Sequence, residues 1–145
     1  MSVSSRVSAP RPLEVSDVEP CLELWSRTPG VGLSSADDAA SLSRFIERNA
    51  GLCWCSVTDD RIVGTILCGS DGRRGYLYHV AVDEAVRREG VGRRLVEAAL
   101  CSLRSTGIEK CHAMAFASND LGRSFWERSG WKFRDDLVVF SMNIE

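Results

Sequence analysis

No stretch of this chain is apolar for long enough to cross a bilayer. The longest apolar run, Ile62 to Cys68, includes Gly64 and Thr65 and falls far short of the ~20 residues a span needs. Histidine is scarce, with only His79 and His112, and no CxxC pair occurs, so a structural zinc site is not expected. Tyrosine is equally scarce, confined to Tyr76 and Tyr78. No glycine-lysine pair occurs anywhere, which excludes a phosphate-binding P-loop. The opening residues, MSVSSRVSAPRP, hold no apolar core of the kind a secretory signal requires. Neither sign of charge dominates: 18 Lys+Arg face 20 Asp+Glu for a formal charge of −2, which argues against a general nucleic-acid binder.

What remains is the composition of an ordinary globular domain, with 145 residues of which 44% are hydrophobic and 26% charged. A chain of this length fits one domain (residues 1–145) around one core, since about two-thirds of its unfolded surface can be buried. Aromatic and β-branched residues continue to the last positions, unlike a disordered tail. Of six cysteines, Cys53, Cys55, Cys68, Cys101 and Cys111 sit inside apolar stretches. Small buried thiols and a reduced, cytoplasmic setting are expected from that placement.

Periodicity changes several times along the chain. Val3 to Ala9 reads as an edge strand ahead of Pro10 and Pro12. Ser16-Asp-Val-Glu19 reads as a capping box opening a helix through Trp25, and Ser35-Ala-Asp-Asp38 as the cap of a second helix. Leu52 to Thr58 and Ile62 to Cys68 form a hairpin around Asp59-Asp60-Arg61, and Asp71-Gly72 turns the chain into a third strand, Tyr76 to Val82. From Gly92 to Thr106 the apolar residues Val91, Leu95, Ala99 and Leu103 recur every four positions, the stripe of an amphipathic helix that ends at Gly107. A strand over Lys110 to Ala117 and a short helix over Leu121 to Arg128 follow. Two final strands around Asp135-Asp136 close the chain. The order β-α-α-β-β-β-α-β-α-β-β implies an α/β fold, a mixed sheet with helices on its faces.

One segment differs from the rest. Val80-Ala-Val82 is a strand that runs into a loop with Gly90 and Gly92, and a long helix starts at once. Residues 87 to 94 contain four arginines and one glutamate. A helix N-terminus presents unpaired amides and about half a positive charge, so it attracts anions. Gly90 and Gly92 let those amides approach a ligand without a Cβ in the way, and the arginines add attraction for phosphate. The bland alternative is a strand-to-helix turn with a solvated basic rim. A dinucleotide fingerprint fails, because Leu95 stands where the third glycine of G-x-G-x-x-G belongs.

Arg87-x-x-Gly90-x-Gly92 instead fits [QR]-x-x-G-x-[GA] and closely resembles motif A of the GNAT superfamily of N-acetyltransferases. Ser118-Asn119-Asp-Leu-Gly-Arg-Ser-Phe125-Trp126-Glu127-Arg-Ser-Gly130-Trp131 is similar to the same family's N-x-x-A-x-x-[FL]-Y-E-x-x-G-F segment. The two blocks stand in register, one helix and one strand apart, and the element order extends the resemblance over nearly the whole chain. The resemblance implies acetyl-CoA as co-substrate, wedged between two splayed strands, with no metal. The backbone of Val80, Ala81 and Val82 would pair with the pantetheine arm. The amides of Arg87, Arg88, Glu89, Gly90, Val91, Gly92 and Arg93 would wrap the pyrophosphate. Asn119 would hydrogen-bond the pantetheine, and Phe125 and Trp126 would flank the thioester. An amine would attack the thioester carbonyl directly and coenzyme A would leave as thiolate.

The pattern departs from the family at Trp126, where a tyrosine often protonates the leaving thiolate. His79 suits a general base and Tyr78 a general acid, with Tyr76 a further candidate acid. Strand parity sets Tyr76 and Tyr78 on one face and His79 on the other unless a bulge intervenes. His112, beside Cys111, reads as structural. The resemblance implies an acceptor pocket in the region of Trp25, Gly30 to Leu33 and Asp37-Asp38. Asp37 or Asp38 would meet a cationic amine there, or cap a helix. The resemblance points to an acetyl-CoA-dependent N-acetyltransferase acting on a small amine, a peptide N-terminus or a lysine. A non-catalytic acyl-CoA sensor and a phosphate- or RNA-binding domain are the alternatives, the last opposed by the acidic balance. No nucleic-acid or membrane partner is expected. Monomer and homodimer both remain open, the latter through Leu137-Val-Val-Phe140.

Overall fold

The computed structural model describes residues 6–144, which divide into two compact units, one ending at Met114 and one beginning at Ala115. The first unit is a five-stranded sheet in the order β1-β2-β3-β4-β5, carrying three helices. Its strands are β1 (Arg11–Pro12), β2 (Trp54–Thr58), β3 (Arg61–Ser70), β4 (Gly75–Val82) and β5 (Cys111–Ala113). Its helices are α1 (Val18–Ser26), α2 (Ala39–Arg48) and α3 (Val91–Ser105). All pairings are antiparallel except β4 with β5.

Local chemistry explains most of these elements. Asp59 and Asp60 both take positive φ (49° and 61°), the turn geometry whose twist matches an antiparallel hairpin, and Thr58 pairs with Arg61 across it. The carboxylate of Asp71 accepts the amides of Arg73 (2.8 Å) and Arg74 (2.9 Å) and so folds the next hairpin. Asp38 caps α2, accepting the Ser41 amide at 2.7 Å.

Alternation along β3 separates two packed layers. Gly64 faces α3, where a Cβ would stand 2.7 Å from Val91 Cγ1 and 3.0 Å from Leu95 Cδ1. Thr65 and Leu67 face the opposite way, toward α1 and α2, with Leu24, Trp25, Leu42 and Ile46 in the core there. The expected α3 stripe of Val91, Leu95, Ala99 and Leu103 is fully buried. Among the described residues no helix is long and apolar enough to cross a membrane.

Several expectations are corrected. Among the described residues the first ladder lies at Arg11–Pro12 and not over Arg6 to Ala9; Val3 to Ser5 of the expected strand lie outside the described residues. The capping box pairs Glu14 with Asp17 rather than Ser16 with Glu19. Asp17 takes the Glu14 amide at 2.8 Å while holding Arg11 through two bonds of 2.9 and 3.0 Å, and that bidentate partner outcompetes a serine cap. Cys101 is exposed on α3, midway between the buried stripe positions Ala99 and Leu103. The buried thiols are pushed up by desolvation, Cys53 and Cys55 to about 11 and Cys68 to about 12, so they stay protonated.

The second unit contains α4 (Asp120–Arg128), capped by the Asn119 side-chain oxygen, which accepts the Gly122 amide at 3.0 Å. The two strands expected around Asp135-Asp136 are not formed among the described residues. Extended propensity becomes a strand only when a neighbouring strand supplies ladder partners, and residues 131–144 form no ladder.

Candidate active site

β4 organises the site. One of its edges pairs with β3 from Gly75 to Val82, whereas β5 covers the other edge only from Gly75 to Leu77. Among the described residues of the first unit, Tyr78 to Val82 therefore present a strand edge with no partner strand. Such an edge offers backbone donors and acceptors to an extended ligand.

The strand is bulged within that open stretch. Thr65 faces Ala81 and Leu67 faces Tyr78, so β4 places one more residue in the interval than β3 does. The extra residue lies at His79, whose φ of +49° falls in the left-handed region. A bulge resets side-chain parity, and consecutive residues Tyr78 and His79 both reach the α1/α2 layer. The Tyr78 ring meets Phe45 of α2 edge-on with centroids 6.0 Å apart, and the His79 ring meets Trp25 of α1 edge-on at 4.7 Å. The parity separation of tyrosines from histidine expected for a regular strand is thus removed for this pair.

Two contacts hold the bulge. The buried Thr65 hydroxyl donates to the His79 carbonyl (3.0 Å) and accepts the Trp25 indole N–H (2.9 Å). His79 Nε2 lies 2.7 Å from Asp37 Oδ1, in a pair whose side chains are only 17% and 10% exposed. Asp37 also closes its own turn, its Oδ2 accepting the Ser34 amide at 2.9 Å. Both carboxylates expected to meet a cationic amine or cap a helix are therefore engaged, Asp37 with His79 and Asp38 as the α2 cap. Burial pushes the Tyr78 phenol above its ordinary value, so at neutral pH it remains a proton donor. His112 stands opposite Tyr76 on the adjacent strand, with ring centroids 5.8 Å apart.

Beyond β4 the chain enters the basic loop. Asp83 caps a short turn over Glu84–Val86 through the Ala85 amide (3.0 Å) and bonds Arg27 at 2.9 Å, with Arg61 3.7 Å away. The Arg27 guanidinium, with the Ala85 amide, holds its carboxyl below the usual carboxylate range. The backbone then passes twice through the left-handed region, at Arg88 (φ 72°) and Gly90 (φ 78°), before α3 begins at Val91. Arg94 N–H donates to the Gly90 carbonyl at 3.1 Å. The amides of Val91, Gly92 and Arg93, one turn earlier, lack intrahelical acceptors by helix geometry.

Two arginines brace this loop: Arg87 Nε donates to the Val82 carbonyl (3.3 Å) and Arg94 Nη1 to the Glu89 carbonyl (2.9 Å). Free amides, a positive helix end and surrounding guanidinium groups suit a diphosphate directly beyond the open edge of β4. Tyr78, His79, Val80 to Val82 and Arg87 to Arg93 are thus gathered on one continuous strand, loop and helix start.

Asn119, Phe125 and Trp126 belong to the second unit. There Trp126 stacks edge-on against both Phe125 (5.1 Å) and Trp131 (4.6 Å). Sequence reasoning overlooked Thr65 and the pairing of Asp37 with His79. The one local hint was a threonine inside the otherwise apolar run from Ile62 to Cys68.

The profile of the Acetyltransferase (GNAT) family matches residues 18–131. Among solved structures, the chain is similar to PaiA N-acetyltransferase from Thermoplasma acidophilum in complex with coenzyme A. Identity there is 20%, coverage 90% of this chain and 92% of that one, and the TM-score 0.78. It is also similar to AAC(6')-Iy in complex with a bisubstrate analog, CoA-S-monomethyl-acetylneamine, with 13% identity, 97% and 100% coverage and a TM-score of 0.74. A third similarity is to the aminoglycoside acetyltransferase meta-AAC0020, from an uncultured soil metagenomic sample, in complex with sisomicin. It has 17% identity, 99% and 100% coverage and a TM-score of 0.72.

Proposed function

Because the chain belongs to the acetyltransferase (GNAT) family, we propose that it transfers the acetyl group of acetyl-CoA to a primary amine by direct attack within a ternary complex. The observation that carries this reading is the open β4 edge from Tyr78 to Val82, which leads straight to the amides at the start of α3. The co-substrate's pantetheine arm would add to Val80, Ala81 and Val82 as a strand adds to a sheet. Its pyrophosphate would lie on the amides from Arg87 to Arg93. Similar proteins solved with coenzyme A or a coenzyme A-linked analog support that placement.

The chain's own residues supply positioning and proton handling. Holding thioester and amine together would remove roughly 7–11 kcal/mol of the barrier. An alkylammonium of pKa about 10.4 must lose a proton before it attacks, and His79 would receive it. The amine nitrogen then bonds the carbonyl carbon, the C–S bond breaks, and the second proton ends on the departing sulfur. Tyr78, kept protonated by burial, would donate it and regain the proton shed by nitrogen. Trp126 in the family's tyrosine position leaves that task to β4. The acceptor class is a small amine, a peptide N-terminus or a lysine, and a cytoplasmic, single-domain enzyme is consistent with the reading.

Calorimetry with coenzyme A and an amine panel followed by thiol release test this directly. Expected are saturable binding, weakened by Gly90→Ala, and turnover on at least one amine. Binding without turnover on any amine would favour an acyl-CoA sensor instead.

A further inference from the structure

The left-handed bulge at His79 aims its ring into a defined setting, and among the described residues the ring nitrogen without a hydrogen-bond partner is Nδ1, the one nearer the backbone. Nε2 is occupied: it lies 2.7 Å from Asp37 Oδ1, across 42 residues of sequence. The other Asp37 oxygen, Oδ2, is held by the Ser34 amide at 2.9 Å, which leaves Oδ1 as the oxygen facing the ring. A carboxylate only accepts hydrogen bonds, so the proton of a neutral imidazole bonded this way must lie on Nε2. The lone pair is then on Nδ1. Trp25 fixes the ring from its side by an edge-on contact, and Thr65 fixes the backbone by bonding the His79 carbonyl.

We infer that Asp37 is a positioning residue that sets the tautomer of His79, so that Nδ1 is the atom that takes the proton from the acceptor amine. The inference rests on the reading of His79 as the general base. It also gives the turn Ser35–Asp37 a task beyond capping: the acceptor-side loop and the proton acceptor are joined by one hydrogen bond. A displaced turn would leave the imidazole free to adopt either tautomer.

The tautomer is read on the protein without any acceptor, from the long-range proton–nitrogen correlations of 15N-histidine-labelled chain at a pH where His79 is neutral. Protonation at Nε2 is expected, and protonation at Nδ1 in the unaltered protein would overturn the inference with no variant needed. Asp37→Asn then tests the consequence. The Ser34 amide keeps the asparagine oxygen, the Nδ2 amide turns toward Nε2 as a donor, and the imidazole proton moves to Nδ1. The expected result is a switched nitrogen signature and a fall in kcat of about 10²–10⁴-fold, with coenzyme A affinity within twofold of the unaltered protein. A merely structural tie would leave kcat unchanged at constant coenzyme A affinity, even with the tautomer switched. Asp37→Asn with kcat within threefold of the original, while His79→Ala is inactive, would overturn the positioning role alone. Full activity in His79→Ala would overturn the base assignment beneath it.

Discussion

Thr65→Val separates hydrogen bonding from packing at the point where β3, α1 and the β4 bulge meet. The threonine is 0% exposed and its hydroxyl links the Trp25 indole N–H to the His79 carbonyl. Valine keeps the shape but leaves a buried N–H without its acceptor and takes a donor from the carbonyl. A buried polar group left unpaired costs about 1–3 kcal/mol, and with two groups affected the loss should be about 2–4 kcal/mol. Thr65→Ser keeps the hydroxyl and removes one methyl, which costs about 1 kcal/mol. Urea denaturation of the two variants decides between them. With a slope of about 1–3 kcal/mol per molar, the valine midpoint should fall by roughly 1–2 M and the serine midpoint by well under 1 M. The valine variant should also lose acetyl-transfer activity, because the His79 carbonyl would no longer be held. If the valine variant is as stable as the serine variant or more so, the Trp25–Thr65–His79 chain contributes nothing and the account of the bulge fails.

Three further outcomes are expected. Gly90→Ala places a Cβ at φ +78°, a conformation that costs about 1–2 kcal/mol for an L-residue, and only 3.1 Å from Arg94 Nη1. Melting temperature and coenzyme A affinity should both fall, and unchanged affinity would remove the loop from the diphosphate site. Asp17 is held below its ordinary value by hydrogen bonding to Arg11. Its contribution is therefore complete above the unfolded value of about 3.9 and vanishes as pH drops through the folded one. Asp17→Asn should destabilise at pH 7, with the gap to the original protein closing toward acid; a gap of constant size in urea titrations across that range would contradict the pairing. Ser56 is fully buried and its hydroxyl has no hydrogen-bond partner among the described residues. Ser56→Ala should leave stability unchanged or raise it by about 1 kcal/mol, whereas a loss of that size in urea melts would reveal a partner.

Much of the site was legible in the residue order because its signals are local. The four-residue spacing of Val91, Leu95, Ala99 and Leu103 specifies one face of one helix, and all four are buried as that spacing requires. Gly90 before an apolar-periodic run marks both a helix start and a place for close backbone approach, and it takes the left-handed conformation there. Capping was read less well, since serine, aspartate and glutamate near residues 14 to 19 offer competing partners. Arg11, outside any capping pattern, decided the competition through Asp17. The last two strands were read from propensity alone, and propensity does not supply a neighbour.

By itself, then, the order of residues determined the elements of the first unit from α1 to α3, the basic turn between β4 and α3, and membership of a family that handles coenzyme A, whereas β5 spans only Cys111–Ala113 of the strand expected over Lys110 to Ala117. All of these follow from interactions within a few positions: periodic burial, backbone conformation at glycine, and charge at a helix end. Tertiary structure alone decided how His79 is presented. One extra residue in β4 turned His79 to the face that Tyr78 already occupies. Partners 40 and 42 residues distant along the chain, joining Trp25 to Thr65 and Asp37 to His79, fixed it there. The reason is the two-residue period of a strand: a single insertion exchanges its faces, and only the packed layers on either side reveal where that insertion falls.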